Sequence, residues 1–148
     1  MTDEKIKAEN EKKKEYLKDY RFHVRRINRI EAELEEIRIM KEYPSVNNDG
    51  MPHGSSQGDL SGYAAQLDEM ERNLRDERYQ RTVTYKRIAD QIKRLKSENE
   101  KDVMFYRYIK GMDWWEIAEK MGYCERQIHR FHGAGLAHID LKDVSECQ

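Results

Sequence analysis

Apolar residues recur in steps of three and four along the first forty positions, at Leu17, Tyr20, Val24, Ile27, Ile30 (or its neighbour Glu31), Leu34 and Ile37. That spacing lays one stripe on one face of a helix. Residues 4 to about 42 contain neither Pro nor Gly to interrupt it. At about 1.5 Å per residue the helix reaches on the order of 50 Å, and a helix so long and charged needs a partner for its stripe. The pattern breaks from Tyr43 to Gly58, which holds both prolines, Pro44 and Pro52, with Gly50, Gly54 and Gly58. Proline removes a donor and glycine frees the backbone, so residues 43–58 are expected to form a flexible loop.

Periodicity returns at Leu60, Tyr63, Leu67, Met70 and Leu74, weakens from Arg75 to Arg81, and resumes at Tyr85, Ile88, Ile92 and Leu95. Asp59 or Ser61 is the candidate cap for this second helix. Two stripes joined by a loop predict a long antiparallel helical hairpin over residues 1–98, with Ile88 to Leu95 returning to the N-terminal half of the first helix. Tyr16, Tyr20, Tyr63 and Tyr85 read as seam residues. The same stripes serve a monomeric hairpin or a homodimer through the N-terminal helices.

Elements shorten after Lys101, and residues 99–141 read as a separate compact module followed by a tail, 142–148. Val103, Phe105, Tyr106 and Ile109 give a helix of two or three turns stopped by Gly111. Asp113 stands three residues before Glu116, a capping-box spacing, ahead of Ile117 and Ala118. That short helix runs to Met121 and closes at Gly122. A further helix spans Cys124 to His132 and continues through Gly133, Ala134 and Gly135 to Leu136 and Ile139. The fold class is therefore all-α: a long N-terminal hairpin, then a compact helix-turn-helix module.

Three residues carry the helix-turn-helix reading. The first helix needs a small residue where the second crosses it, here Ala118. The turn needs a residue tolerant of positive φ, here Gly122. The second helix needs an aliphatic residue turned back into the core, here Ile128, with Ile117, Met121 and Leu136 completing that core. This leaves Glu125, Arg126, His129 and Arg130 on a free face, with Gln127 to the side. Arginine presents a bidentate fork to guanine in the major groove, and glutamine does so for adenine. Lys110 and Lys120 are placed to meet phosphates, which position a protein without reading sequence.

Composition narrows the classes. The chain has 148 residues, 39% of them charged and 37% hydrophobic, with a mean hydropathy of -1.09; that suits thin helical seams better than one thick core. No apolar run approaches the roughly 18 residues that span a bilayer. Met1 to Glu15 is charged without an apolar core, so a signal peptide is not expected, and the expected location is the cytoplasm of a bacterial host cell. Net charge is -1, but Arg78 to Lys110 holds ten Lys and Arg against four Asp and Glu, and Glu11 to Ile30 holds eight against three. Cys124 and Cys147 match no redox or zinc spacing and are expected as free thiols. Cys124, His129, His132 and His138 invite a zinc reading, but His129 and His132 share the helix that DNA would need and no second cysteine is near. No metal or cofactor is expected. One of Trp114 and Trp115 is expected to pack against Phe105 or Ile109, the other to lie at the surface. No nucleophile elbow, zinc-protease motif or apolar carboxylate pair occurs, so an enzyme is not expected.

The segments Tyr106 to Gly111, Trp114 to Gly122 and Tyr123 to Leu136 resemble the fourth region of bacterial sigma factors. They are closer still to small phage and mobile-element proteins that carry that region at their C-terminus. The whole layout resembles such a family: a charged first helix with Tyr16-Leu17 and Arg25-Arg26-Ile27-Asn28-Arg29, a loop with Met51-Pro52-His53-Gly54, then a second helix. The resemblance implies a DNA-binding transcriptional regulator of phage or prophage genes, as in the ArpU and RinA groups, with double-stranded DNA and RNA polymerase as partners. Departures are Cys124 where a Ser or Thr cap is usual, Glu125 near the helix start, and Gly133 and Gly135, which are expected to loosen its end. Two alternatives stand beside it: a small terminase subunit recognising packaging DNA, and an interaction adaptor that binds RNA polymerase without DNA contact.

Overall fold

The computed structural model describes residues 2–42 and 57–142. Among the described residues the fold consists of five α-helices and one π-helical turn, with no strand. Helix α1 spans Asp3–Glu42 and α2 spans Gln57–Lys93. Then come α3, Glu98–Met104, the π-turn, Phe105–Ile109, α4, Trp114–Met121, and α5, Glu125–His138. The molecule is all-α, a long helical hairpin followed by a compact helical module. The expected loop lies outside the described residues, apart from Gln57 and Gly58, which belong to α2. Helix α2 thus starts ahead of Asp59 and Ser61, and neither is its N-cap.

The chain forms two compact units, one of Met1–Phe22 with Arg81–Gln148, the other of His23–Gln80. In the second unit, Ile27, Ile30 and Leu34 of α1 close on Leu74 of α2, with Leu67 and Met70 beside them. Ile30, not Glu31, takes the stripe position; Glu31 faces outward and pairs with Arg78 at 3.1 Å. Where the α2 stripe weakens, the seam becomes polar. Glu77 accepts from His23 Nδ1 at 2.8 Å and from Arg26 Nε at 3.1 Å. Tyr63 is exposed, a correction to its seam assignment.

In the first unit Leu17 meets Ile88, Ile92 and Leu95, so the end of α2 does return to the N-terminal half of α1. The same core takes in Met104, Tyr108, Ile109, Leu136 and Ile139, with Tyr16 and Tyr20 half-buried against it. Tyr85 leans on Tyr20, with ring centroids 5.6 Å apart, but is itself exposed. The hairpin stripe and the C-terminal helices therefore share one apolar cluster. Lys13, buried on α1, donates from Nζ to the Leu136 carbonyl at the end of α5, 2.8 Å away.

Helix α3 starts earlier than the apolar pattern indicates, because the Ser97 hydroxyl accepts from the Glu100 amide and caps it. Its last turn widens: the Lys110 amide reaches the Phe105 carbonyl at 3.1 Å and the Met112 amide reaches Tyr106 at 3.0 Å. The wide turn buries the adjacent Tyr108 and Ile109 together. Gly111, at φ +69°, then ends it.

Candidate nucleic-acid interface

The turn from α4 to α5 follows from local chemistry. Asp113 opens α4 with Glu116 as its capping-box partner, whose carboxylate accepts from the Asp113 amide at 3.3 Å. At the far end Gly122 adopts φ +75°, and the amides of Gly122 and Tyr123 both donate to the Ala118 carbonyl, at 3.0 and 3.1 Å. This satisfies the end of α4 and reverses the chain in two residues. Cys124 is the N-cap of α5, and its carbonyl accepts from Gln127 and Ile128. Its thiol makes no capping hydrogen bond.

Ala118, Gly122 and Ile128 take the expected positions. Ile128 is fully buried in a cluster with Val103, Ile117 and Ala118, walled by Tyr106, Met112, Trp114, Met121 and Phe131. Leu136 belongs instead to the core shared with the hairpin. Helix α5 runs through Gly133 and Gly135 without a break. Gly135 is a close-packing position: a Cβ there would meet Met104 Cγ at 3.3 Å.

Glu125, Arg126, His129 and Arg130 are exposed, and Gln127 is half-buried. At 100° per residue, Arg126 and Arg130 stand one turn apart on the side opposite Ile128 and His132. Neither arginine has an ion-pair partner among the described residues. His129 lies on a flank, its ring 4.5 Å from that of Trp114. Glu125 shares that flank one turn earlier, and Gln127 takes the other. Lys110 and Lys120 are exposed on the end of the π-turn and on α4, each ammonium above a ring, Phe105 at 6.0 Å and Tyr106 at 5.3 Å. The helix thus brings the two arginines together, while the lysines belong to other elements.

A second set of residues, absent from the pattern reading, holds this face in place. The Arg107 guanidinium lies 4.3 Å over Trp114 and donates to the Met112 carbonyl at 3.0 Å. Trp114 therefore packs against Arg107, His129 and His132 rather than Phe105 or Ile109, and Trp115 is the exposed one. Arg21 reaches from α1 to the Ile109 carbonyl at 3.4 Å. Beneath α5 the Tyr108 hydroxyl and His132 Nε2 share a 2.6 Å hydrogen bond. Burial pulls the His132 imidazole down to about 4 and pushes the Tyr108 phenol up to about 12. At neutral pH both are uncharged, as an apolar site demands. Only the aromatic richness of the segment hints at this pairing in the sequence.

The residues of the zinc reading are engaged separately: His132 with Tyr108, His138 Nδ1 with the buried Glu100 carboxylate at 3.0 Å, and Cys124 as an exposed free thiol. Among the described residues no group of three or more His, Cys, Asp or Glu is placed to hold a metal ion, and no helix is long and apolar enough to cross a membrane. No protein-family model, curated protein or solved structure matches the chain.

Proposed function

We propose that the protein binds double-stranded DNA by laying the N-terminal half of α5 in the major groove, and that it acts as a transcriptional regulator of a phage or prophage. The supporting observation is the division of α5: Ile128 sealed into the α4–α5 core, and Arg126 and Arg130 on the opposite side, unpaired among the described residues. Two guanidinium forks one turn apart suit guanine O6 and N7 in neighbouring base pairs. Lys110 and Lys120 add phosphate contacts that fix register, and His129 and Gln127 flank the arginines. Charge distribution agrees with this reading. Residues 1–22 and 81–148, which include α5, carry 20 Lys and Arg against 17 Asp and Glu, whereas residues 23–80 carry 8 against 12. The resemblance to sigma-factor region four points the same way.

The test is fluorescence-anisotropy binding of the full chain to tiled fragments of its own gene neighbourhood at two salt concentrations. Tight, salt-sensitive binding to one fragment is expected, with a loss of about tenfold or more in Arg126→Ala/Arg130→Ala. Equal weak binding everywhere, unchanged by the substitutions, sinks the proposal. The adaptor reading would then take its place, favoured by the seven basic and eight acidic residues of Lys101 to Gln148. A ring-sized particle in solution would favour the terminase subunit instead.

A further inference from the structure

Of the outward side of α4, the DNA reading uses only Lys120. Its inner side is spent: Ile117 and Ala118 are buried, and Trp114 and Met121 pack against them. Opposite stands Trp115, 56% exposed although it is a tryptophan like the packed Trp114. Among the described residues it makes no hydrogen bond, ion pair or ring contact. One turn on, Glu119 is exposed and likewise unpaired. Glu116, half-buried, accepts from the Asp113 amide alone among the described residues. Past the helix end Tyr123 is also exposed, its ring edge-on to Phe131 at 5.1 Å and its hydroxyl accepting from Asn99 at 3.5 Å.

An indole beside two carboxylates, one of them held in the capping box, defines what can cover it. Tryptophan is the side chain most enriched among residues that dominate binding energy, because it offers a large rigid apolar area at low entropic cost. Glu119, one turn from Trp115, and Glu116 disfavour phosphate beside the indole, while Lys120, the phosphate contact proposed above, stands on the far flank of α4 from Trp115. A partner must bring positive charge to these carboxylates and an apolar group to Trp115. We propose that the outer face of α4 docks a segment of another protein in which one aliphatic or aromatic anchor is flanked by lysine or arginine. The surface is distinct from the arginine row of α5, so both faces can be occupied at once.

The test uses the full chain and short fluorescent peptides in which a Leu, Phe or Trp is flanked on both sides by Arg and Lys. Matched peptides carry Glu at the flanking positions. Saturable binding of the basic peptides at micromolar concentrations is expected, with none for the acidic set. Trp115→Ala should weaken it about tenfold or more, and Glu119→Lys should weaken it further, while Arg126→Ala/Arg130→Ala leaves it unchanged. Trp115 is exposed, so its removal leaves the fold intact, which the thermal melt of the variant verifies. Failure of the whole basic set to bind below millimolar concentration, or equal binding by Trp115→Ala, overturns the proposal. Self-association abolished by Trp115→Ala would also overturn it, by assigning the face to a second copy. The DNA test above stands or falls separately, since it reads other residues.

Discussion

Lys13 Nζ donates to the Leu136 carbonyl across 2.8 Å, joining positions 123 residues apart in sequence. The carbonyl lies in the last turn of α5, where its backbone partner is the C-cap amide of Ile139 at 3.3 Å, shared with Gly135, and a cation is a favoured partner at that end of a helix. Only 5% of Lys13 is exposed, so its stem adds apolar packing to the charge-assisted bond.

Lys13→Met keeps the stem and deletes the ammonium. The expected cost is about 1–3 kcal/mol in urea unfolding, from the loss of a charge-assisted hydrogen bond, the carbonyl keeping only the longer bond from the Ile139 amide. A change under about 0.3 kcal/mol, well below that range, would show that water replaces the ammonium freely and that the contact does not anchor α5.

Contacts of this kind separate what the sequence discloses from what it does not. The stripe from Leu17 to Ile37 was legible because burial on a helix imposes a period on neighbouring residues. The turn at Ala118, Gly122 and Ile128 was legible for the same reason, all three constraints lying within eleven positions. The His23–Glu77–Arg26 layer was not, because apolar counting sees only a gap between Arg75 and Arg81. The π-turn was hidden too: the apolar spacing of Phe105, Tyr106 and Ile109 fits an ordinary helix, and one widened turn leaves no periodic trace. Tyr63 and Tyr85 fit the stripe by position yet stay exposed, since tyrosine tolerates either side. Of the reading face, the row Arg126–Arg130 followed from helical geometry, while the supports beneath it, Arg107, Tyr108 and Arg21, depend on tertiary contact.

His132 carries a pH dependence whose direction is fixed. Its imidazole is held at about 4 in the folded chain by burial, with Lys14, Arg107 and His129 adding to the effect, against an ordinary 6.5 in the unfolded chain. Between those values the unfolded state takes up a proton that the folded state refuses, so stability falls as pH falls from about 6.5 towards 4. Above 6.5 both states are neutral and this contribution is flat. By pH 4.5 it amounts to about 2 kcal/mol. His132→Gln retains a hydrogen-bonding group for Tyr108 and does not titrate. Urea unfolding at pH 4.5 and 7.5 should therefore show wild type losing about 2 kcal/mol more than the variant. Parallel losses would exclude His132 as an acid-sensitive element.

Cys124 occupies an N-cap without capping. Its backbone is already extended, φ -73° and ψ 156°, as a cap requires, and its thiol makes no bond to the first turn of α5. Cys124→Ser supplies a hydroxyl acceptor in that geometry and should stabilise by about 0.5–1 kcal/mol. Calorimetry would register this as a melting temperature raised by a few degrees. An unchanged or lowered midpoint would mean that the first-turn amides already have partners as good as a hydroxyl.

Two glycines in the same module should answer the same substitution with opposite signs. A Cβ added at Gly122 or at Gly133 meets no atom within 4 Å, so sterics between side chains are silent at both. Backbone conformation decides instead. Gly122 sits at φ +75°, where an L-side chain costs about 1–2 kcal/mol, so Gly122→Ala should destabilise by that amount. Gly133 lies inside α5 and is exposed. There alanine removes unfolded-state freedom and is the better helix former, so Gly133→Ala should stabilise by about 0.5–1 kcal/mol. Denaturant midpoints at constant m-value measure both. Destabilisation by Gly133→Ala would show that α5 is not a regular helix at that position, and a neutral Gly122→Ala would remove the left-handed turn on which the α4–α5 geometry rests.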